Sequence, residues 1–234
     1  MSLLVRSWNI FHGMTVPPGR CSHLEQAVRL ASADRPDILC LQEVPLWGFV
    51  ELERWSGMQA FCVRAQRTRL PAPLARRITE LNQAVLRSAF AGQGNAILVR
   101  PELALLERRS AQVSRGWRER RICQVVRLEG ITIGNVHCSG VAASPDVAIA
   151  ELGRALALVR ATSRPDDTLV LAGDLNLRPG QLPSLPGWSG TGPGIDHILV
   201  RGAEATALDS WPDERRRAGG ELLSDHAPVE LRVG

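Results

Sequence analysis

Thr168-Leu169-Val170-Leu171-Ala172-Gly173-Asp174-Leu175-Asn176 is the stretch from which the rest of the chain is read. An apolar, β-favouring run before a glycine has the pattern of a short strand covered on both faces, so a buried strand is expected over Thr168 to Leu171. Gly173 lets the backbone turn closely, which would bring Asp174 and Asn176 out at the strand's C-terminal end on one shared face. A carboxylate there suits a hard cation or a proton, and an amide suits a phosphate oxygen. Taken alone, the segment reads equally well as an Asx-rich turn that ends a strand.

The flanking sequence extends this layout in both directions. Leu3 to Trp8 predicts a strand ending at Asn9, and Ser22-His23-Leu24-Glu25 has the form of a capping box. Leu24, Ala27, Val28 and Ala31 then keep helical spacing for about three turns. Ile38 to Leu41 predicts a buried strand delivering Gln42 and Glu43, and Asn95 to Val99 another. Ile122 to Leu128 and Ile131 to Ile133, joined by Glu129-Gly130, predict a hairpin whose second arm runs on to Asn135 and His137. Ser144-Pro145-Asp146 opens a helix with Leu152, Ala155, Leu156 and Val159 as its buried stripe, up to about Ala161. After a Pro/Gly-rich loop from Pro179 to Gly194, strands are expected over Ile195 to Val200, Ala205 to Leu208 and Ala227 to Val233. Between residues 64 and 93, Arg64, Arg67, Arg69, Arg76, Arg77 and Arg87 accompany an amphipathic pattern at Leu74, Ile78, Leu81 and Val85. That pattern fits a solvated surface helix or a cover over the working face. With no repeat, low-complexity tract or linker, residues 1–234 are expected to form one α/β domain with more strand than helix and two sheets packed together.

Composition bounds the partners. All 28 basic residues are Arg, with no Lys and no Tyr, a bias that genomic base composition explains without function. A net charge of +4 and a pI near 9.2 mildly favour an anionic substrate and are too small to establish nucleic acid. No apolar run approaches the roughly 18 residues of a membrane span, and the N-terminus lacks the pattern of a signal peptide. Five scattered cysteines with no C-x-x-C pair suggest reduced thiols in a cytoplasmic protein and no cysteine metal site.

The ends of the expected strands carry Asn9, Glu43, Asn95, Asn135, His137, Asp174, Asn176, Asp196, Asp225 and His226. Acids and amides at several strand mouths make a poor core and a good metal-assisted site. Glu43, Asp174, Asp196 and Asp225 offer the oxygen donors that Mg²⁺ or Mn²⁺ accepts. Four carboxylates close together without a cation would cost several kcal/mol or force protonation. Trp8-Asn9-Ile10, Leu41-Gln42-Glu43-Val44, Gly94-Asn95-Ala96, Asn135-Val136-His137, Gly173-Asp174-Leu175-Asn176, Ile195-Asp196-His197 and Ser224-Asp225-His226-Ala227-Pro228 resemble, in order, the motifs of the endonuclease/exonuclease/phosphatase superfamily. That group includes pancreatic DNase, abasic-site endonucleases, inositol-polyphosphate phosphatases and bacterial sphingomyelinases. Each motif alone is weak, but seven in order over nearly the whole chain are specific.

The resemblance implies a four-layer α/β/β/α sandwich of two packed mixed sheets flanked by helices, with the site at one rim. It also implies roles. Glu43 would be the main ligand of Mg²⁺ or Mn²⁺, with Asn9 and Asp225 alongside. Asp174 would orient or deprotonate the attacking water, and Asn176 would hold a phosphate oxygen. His226, paired with Asp196, would stabilise the transition state, and His137 would act as general acid. Asn95, Asn135 and Arg121 are candidate substrate contacts; the two amides serve equally as strand-end partners, and Arg120 and Arg121 as a solvated cluster. His197 follows Asp196 and so faces the other side of its strand as a structural residue, while His12 and His23 are expected on the surface.

The expected activity is metal-dependent phosphodiester hydrolysis, with nucleic acid among the substrates and a monomer as the working form. A phosphomonoesterase acting on a phosphorylated metabolite or an inositol phosphate is the second reading, and a non-catalytic anion-binding module the third. The sequence from Ser189 to Gly194 lacks the aromatic, Arg-containing stretch of the abasic-site branch, and no apolar hairpin suggests membrane docking. Trp188 could stack on a base or anchor its loop.

Overall fold

Alternation of side chains along the strands sets the layers, because successive residues face opposite sides of a sheet. A computed structural model describes residues 2–68, 70–81, 90–115, 120–140, 144–190 and 192–234. The first half of the chain forms β1 (Leu3–Asn9), β2 (Thr15–Val16), α1 (Leu24–Ser32), β3 (Ile38–Pro45), α2 (Leu52–Ser56), β4 (Gln59–Gln66), α3 (Ala72–Leu81), β5 (Gln93–Val99) and β6 (Glu107–Gln112). The second half forms β7 (Ile122–Leu128), β8 (Ile131–His137), α4 (Pro145–Thr162), β9 (Thr168–Asp174), β10 (Asp196–Arg201), β11 (Ala205–Ala207), β12 (Arg217–Ala218), β13 (Glu221–Leu223) and β14 (Val229–Val233).

Among the described residues, one mixed sheet has the order β11-β14-β1-β3-β5-β4, and the other β10-β9-β8-β7-β6. β2, β12 and β13 make a small third sheet. Val5, Ile38, Cys40 and Ile97 of the first sheet pack with Val126, Ile133, Val170 and Ile198 of the second. The outer face of the first sheet, with Trp8, Leu39, Leu41 and Leu98, is covered by α1 and α2 through Leu24, Val28, Leu52 and Trp55. The outer face of the second, with Val125, Val136 and Leu171, is covered by α4 through Leu152, Ala155, Leu156 and Val159. The result is the expected α/β/β/α sandwich.

α4 starts as its sequence predicts: Ser144 is the N-cap, its Oγ accepts from Asp146 N at 3.2 Å, and Pro145 occupies the first turn. The α1 start differs. His23 is the N-cap with no side-chain cap bond, and Ser22 Oγ instead accepts from Leu24 N at 3.3 Å. His23 N donates to Gly13 O at 2.7 Å, which fixes the entry and moves the helix one residue past the box. In α3 the buried positions are Ala75 and Thr79, whereas Leu74 is exposed and Ile78 half-buried. The small Ala75 joins the cluster that contains Trp47, so the stripe is offset from the one that hydrophobicity alone selects. Val85, Arg87, Arg69, Thr191 and the middle of the Arg115 to Arg121 group lie outside the described residues.

Gly173 acts differently from expectation. It does not turn the chain but lies inside β9 between two neighbouring strands, with φ 145°. A Cβ there would lie 1.8 Å from Val136 O, so this glycine is needed for the close approach of β8. Among the described residues no helix is long and apolar enough to cross a membrane.

Candidate active site

Three adjacent strands set the centre of the site. β8 pairs parallel with β9 so that His137 lies opposite Asp174, and β10 pairs antiparallel with β9 so that Asp196 lies opposite Asp174. Residues paired directly point to the same face, so one rung carries His137, Asp174 and Asp196 into the space between the sheets. His137 Nε2 lies 3.5 Å from Asp174 Oδ2. Asn176 lies past the strand end in a left-handed conformation (φ 53°) and does not share the strand face with Asp174. A tight turn returns it instead: its N–H donates to Asp174 Oδ1 and its Nδ2 to Cys138 O, each at 3.0 Å.

The other sheet supplies the facing wall. Asn9, the last residue of β1, donates from Nδ2 to Asp174 Oδ2 at 3.0 Å. Glu43 sits in a β-bulge between Leu41 and Val44 with φ 55°, which turns its carboxylate toward the rim. His226 enters on the turn before β14. Ser224 Oγ donates to Asn9 O at 2.6 Å and accepts from His226 N at 3.1 Å, while Trp8 Nε1 and Arg216 Nη1 donate to His226 O. Its ring meets Asp196, with Nδ1 2.6 Å from Asp196 Oδ2.

His12 was expected on the surface, and the structure corrects this. It is 4% exposed, and its Nε2 lies 3.1 Å from Glu43 Oε2. The one sequence signal was its place in a glycine-ended turn just after the strand that delivers Asn9.

The remaining candidates divide. Asp225 is exposed, with Oδ1 3.9 Å from His226 Nε2 at the mouth of an open cleft of about 390 Å³ that Asp196, His226 and Pro193 also line. Arg121 is buried, and its charge reaches His137. Arg120 donates to Gln112 Oε1 on the surface. Asn95 is buried and donates to Ile122 O. Asn135 is fully buried: its Nδ2 serves Leu41 O and Ala96 O, and its Oδ1 accepts from Gln42 Nε2. Its amide braces the two sheets, which replaces the expected substrate contact. His197 faces away from the site as expected, its Nδ1 accepting from Gly192 N and its Nε2 bonding Leu177 O. Trp188 packs against the outer core beneath α4, so it anchors its loop.

The charges are unevenly tuned. Burial, and then the Asp196 carboxylate, push the Asp174 carboxyl above the usual carboxylate range. Burial, and then the Arg121 charge, pull His137 down to about 3, so its ring is neutral at pH 7. Burial would raise Glu43, but the His12 charge and hydrogen bond, aided by His137 and Asn9, hold it well below the usual range. Burial opposes the charge on His226, yet the Asp196 hydrogen bond and charge overcome it and raise the ring to about 9.

Stability from the Asp196–His226 pair should therefore be complete below about pH 6.5, where the unfolded chain also protonates the ring, and fade as pH rises through about 9. Its full size is roughly 2–3 kcal/mol. Melting curves in EDTA at pH 6 and pH 10 measure it: the gap between wild type and His226→Gln should be wide at pH 6 and closed at pH 10. An equal gap at both would mean that the ring is not held protonated.

Asp174, Asp196 and His226 offer ligand atoms that all lie within 4.8 Å of one another, a cluster able to coordinate a divalent cation. The donor set fits such an ion, because burial and the neighbouring Asp196 carboxylate raise the Asp174 carboxyl, a cost that a bound cation would relieve.

No curated protein matches the sequence. Among solved structures, TDP2 from Caenorhabditis elegans superposes with a TM-score of 0.68 at 18% identity, over 100% of this chain and 74% of that one. Mannosyl-6-phosphatase Bt3783 from Bacteroides thetaiotaomicron gives 0.70 at 15% identity over 99% of both chains. An endonuclease/exonuclease/phosphatase from Beutenbergia cavernae gives 0.69 at 16% identity, over 99% of this chain and 71% of that one. At these identities the likeness shows the fold. Residues 7–226 match the profile of the Endonuclease/Exonuclease/phosphatase family, and the chain belongs to that family.

Proposed function

We propose that residues 1–234 form one catalytic domain that hydrolyses phosphodiesters with the aid of Mg²⁺ or Mn²⁺. The observation that carries this reading is the rung of His137, Asp174 and Asp196 facing Asn9, with His226 held at 2.6 Å on Asp196. Glu43 would hold the cation with Asn9 beside it and Asp225 contributing from the rim. A protonated His226 repels a cation, which favours the Glu43 side over the Asp–Asp–His cluster. When bound, the ion supplies charge neutralisation at the phosphoryl oxygens.

The chain's own groups divide the remaining work. Asp174, with its raised carboxyl pKa, orients the attacking water and takes its proton. Asn176, fixed by the Asp174 carboxylate and the Cys138 carbonyl, presents its amide to a phosphate oxygen. The Asp196–His226 pair places a positive ring where negative charge builds on phosphorus. His137 donates a hydrogen bond to the leaving oxygen; an approaching anion raises its affinity for the second proton that general-acid work needs. Arg121, buried beside His137, adds positive charge for a phosphate.

Nucleic acid is the first diester class to test, and the protein is proposed to work as a monomer. The five free cysteines, three of them buried, suit a reducing cytoplasmic setting. The name of the Bacteroides phosphatase, which matches this chain along its whole length, supports a phosphomonoesterase as the second reading.

Bis-p-nitrophenyl phosphate and p-nitrophenyl phosphate, assayed with Mg²⁺, Mn²⁺ or EDTA, separate the readings. Diester cleavage lost in EDTA is expected. Monoester cleavage alone would favour the second reading, and anion binding without turnover of these esters, DNA, RNA or inositol phosphates would overturn both.

A further inference from the structure

The turn after β1 is built in an unusual conformation. Phe11, His12 and Gly13 take φ values of 48°, 57° and 76°, so three successive residues are left-handed, two of them not glycine. Left-handed backbone at non-glycine residues costs of order 1–3 kcal/mol each and persists where surrounding structure enforces it. Several contacts enforce it here. Phe11 N donates to Asn9 Oδ1, Gly13 N donates to Ile10 O, and His23 N donates to Gly13 O. A Cβ on Gly13 would meet Leu24 at 2.6 Å. The turn carries the His12 ring into the interior, opposite Glu43, which is itself left-handed in its bulge.

We propose that His12 is a positioning residue that holds the Glu43 carboxylate in the orientation needed to bind a divalent cation. This rests on the proposed role of Glu43 as the main metal ligand. His12 Nε2 engages Glu43 Oε2 at 3.1 Å and leaves Oε1 on the side of His137, 4.0 Å from its Nδ1. A carboxylate on a bulge has several rotamers, and fixing one oxygen from behind aims the other. Outer partners of this kind set ligand orientation, and their loss costs about 10- to 100-fold in metal affinity. Among the described residues His12 Nδ1 has no hydrogen-bond partner, so the polar contact of the ring is the one that Nε2 makes with Glu43.

Three variants and the intact protein test this with Mn²⁺ as the probe, read by calorimetry without substrate. His12→Asn tolerates the left-handed backbone but does not reach Glu43, whereas His12→Gln restores an N–H at the distance of Nε2. About 10-fold or greater loss of Mn²⁺ affinity is expected for His12→Asn, with most of it recovered in His12→Gln. Wild-type affinity in His12→Asn would overturn the role of His12 while leaving the metal reading standing. Wild-type affinity in Glu43→Gln would overturn the metal role of Glu43, and that of His12 with it. Should His12→Asn not fold, nitrogen-15 spectra of the wild-type histidines decide. A Mg²⁺ titration should shift the His12 ring nitrogens and leave those of His23 in place, and an unmoved His12 at saturation would overturn the proposal.

Discussion

Asp174→Asn should lower phosphate-ester turnover by about 10³-fold while leaving the fold intact. The substitution keeps the shape: Asn9 Nδ2 and Asn176 N now donate to separate carboxylate oxygens at 3.0 Å, and one of them can still bond the amide oxygen while the other loses its acceptor. What is lost is the ability to accept a proton. The loss belongs in kcat rather than KM, because Asp174 would act on the water and not on the ester. Melting in EDTA should show little change, because the lost hydrogen bond is offset by removal of a buried charge that burial and Asp196 both disfavour. Turnover within tenfold of wild type would sink the assignment of Asp174 as the base. A collapse of the melting temperature would mean that the residue holds the fold together.

Arg6→Ala should cost about 3–5 kcal/mol of folding free energy, the largest stability effect expected in the chain. Arg6 is fully buried, although an arginine in a strand is ordinarily read as solvent-facing. Its guanidinium donates to both oxygens of Asp34 at 2.7 Å, to Glu230 Oε1 from Nε at 2.6 Å, and to Ala31 O. The Trp211 ring lies 4.5 Å from its guanidinium carbon, and Trp211 Nε1 donates to Glu230 Oε2 at 2.7 Å. Truncation leaves a cavity and a Glu230 carboxylate that is 6% exposed with its ionic partner gone. Urea denaturation of Arg6→Ala, Glu230→Ala and the double variant measures this. The double variant should lose less than the sum of the singles, because the charge stranded by one substitution is removed by the other. Additive losses would mean that the two side chains are not energetically coupled.

The parts of this fold that sequence reading recovered are those whose signals are local. Ser144-Pro145-Asp146 caps its own helix, Glu129-Gly130 turns its own hairpin, and the apolar run of β9 is buried on both faces. Signals that depend on distant partners were not readable. β6 consists mostly of polar residues on an edge and is a strand because β7 pairs with it. Arg6 is inside only because Asp34 and Glu230, far apart in sequence, both reach it. At the rim, the strand-end positions were legible for Asp174, Asp196 and His137. The left-handed turn that buries His12 was not, because nothing in Phe11-His12-Gly13 announces that α1 will pack across it.

The register of β8, β9 and β10 also separates two things that the proposed hydrolase would have to hold. The groups proposed to react hang on a rung whose spacing is set by backbone pairing and by the absence of a side chain at Gly173. Part of the cleft's wall comes instead from the connections that precede β10 and β14, through Pro193, Gly194 and Asp225. Such a connection can lengthen, shorten or change its chemistry without moving Asp174 relative to His137 or Asp196, provided that His197 keeps its anchor on Leu177. Reactivity and address are thus written in different parts of the chain, and new substrate preferences can be grafted onto this rim by exchanging loops while the strands stay as they are.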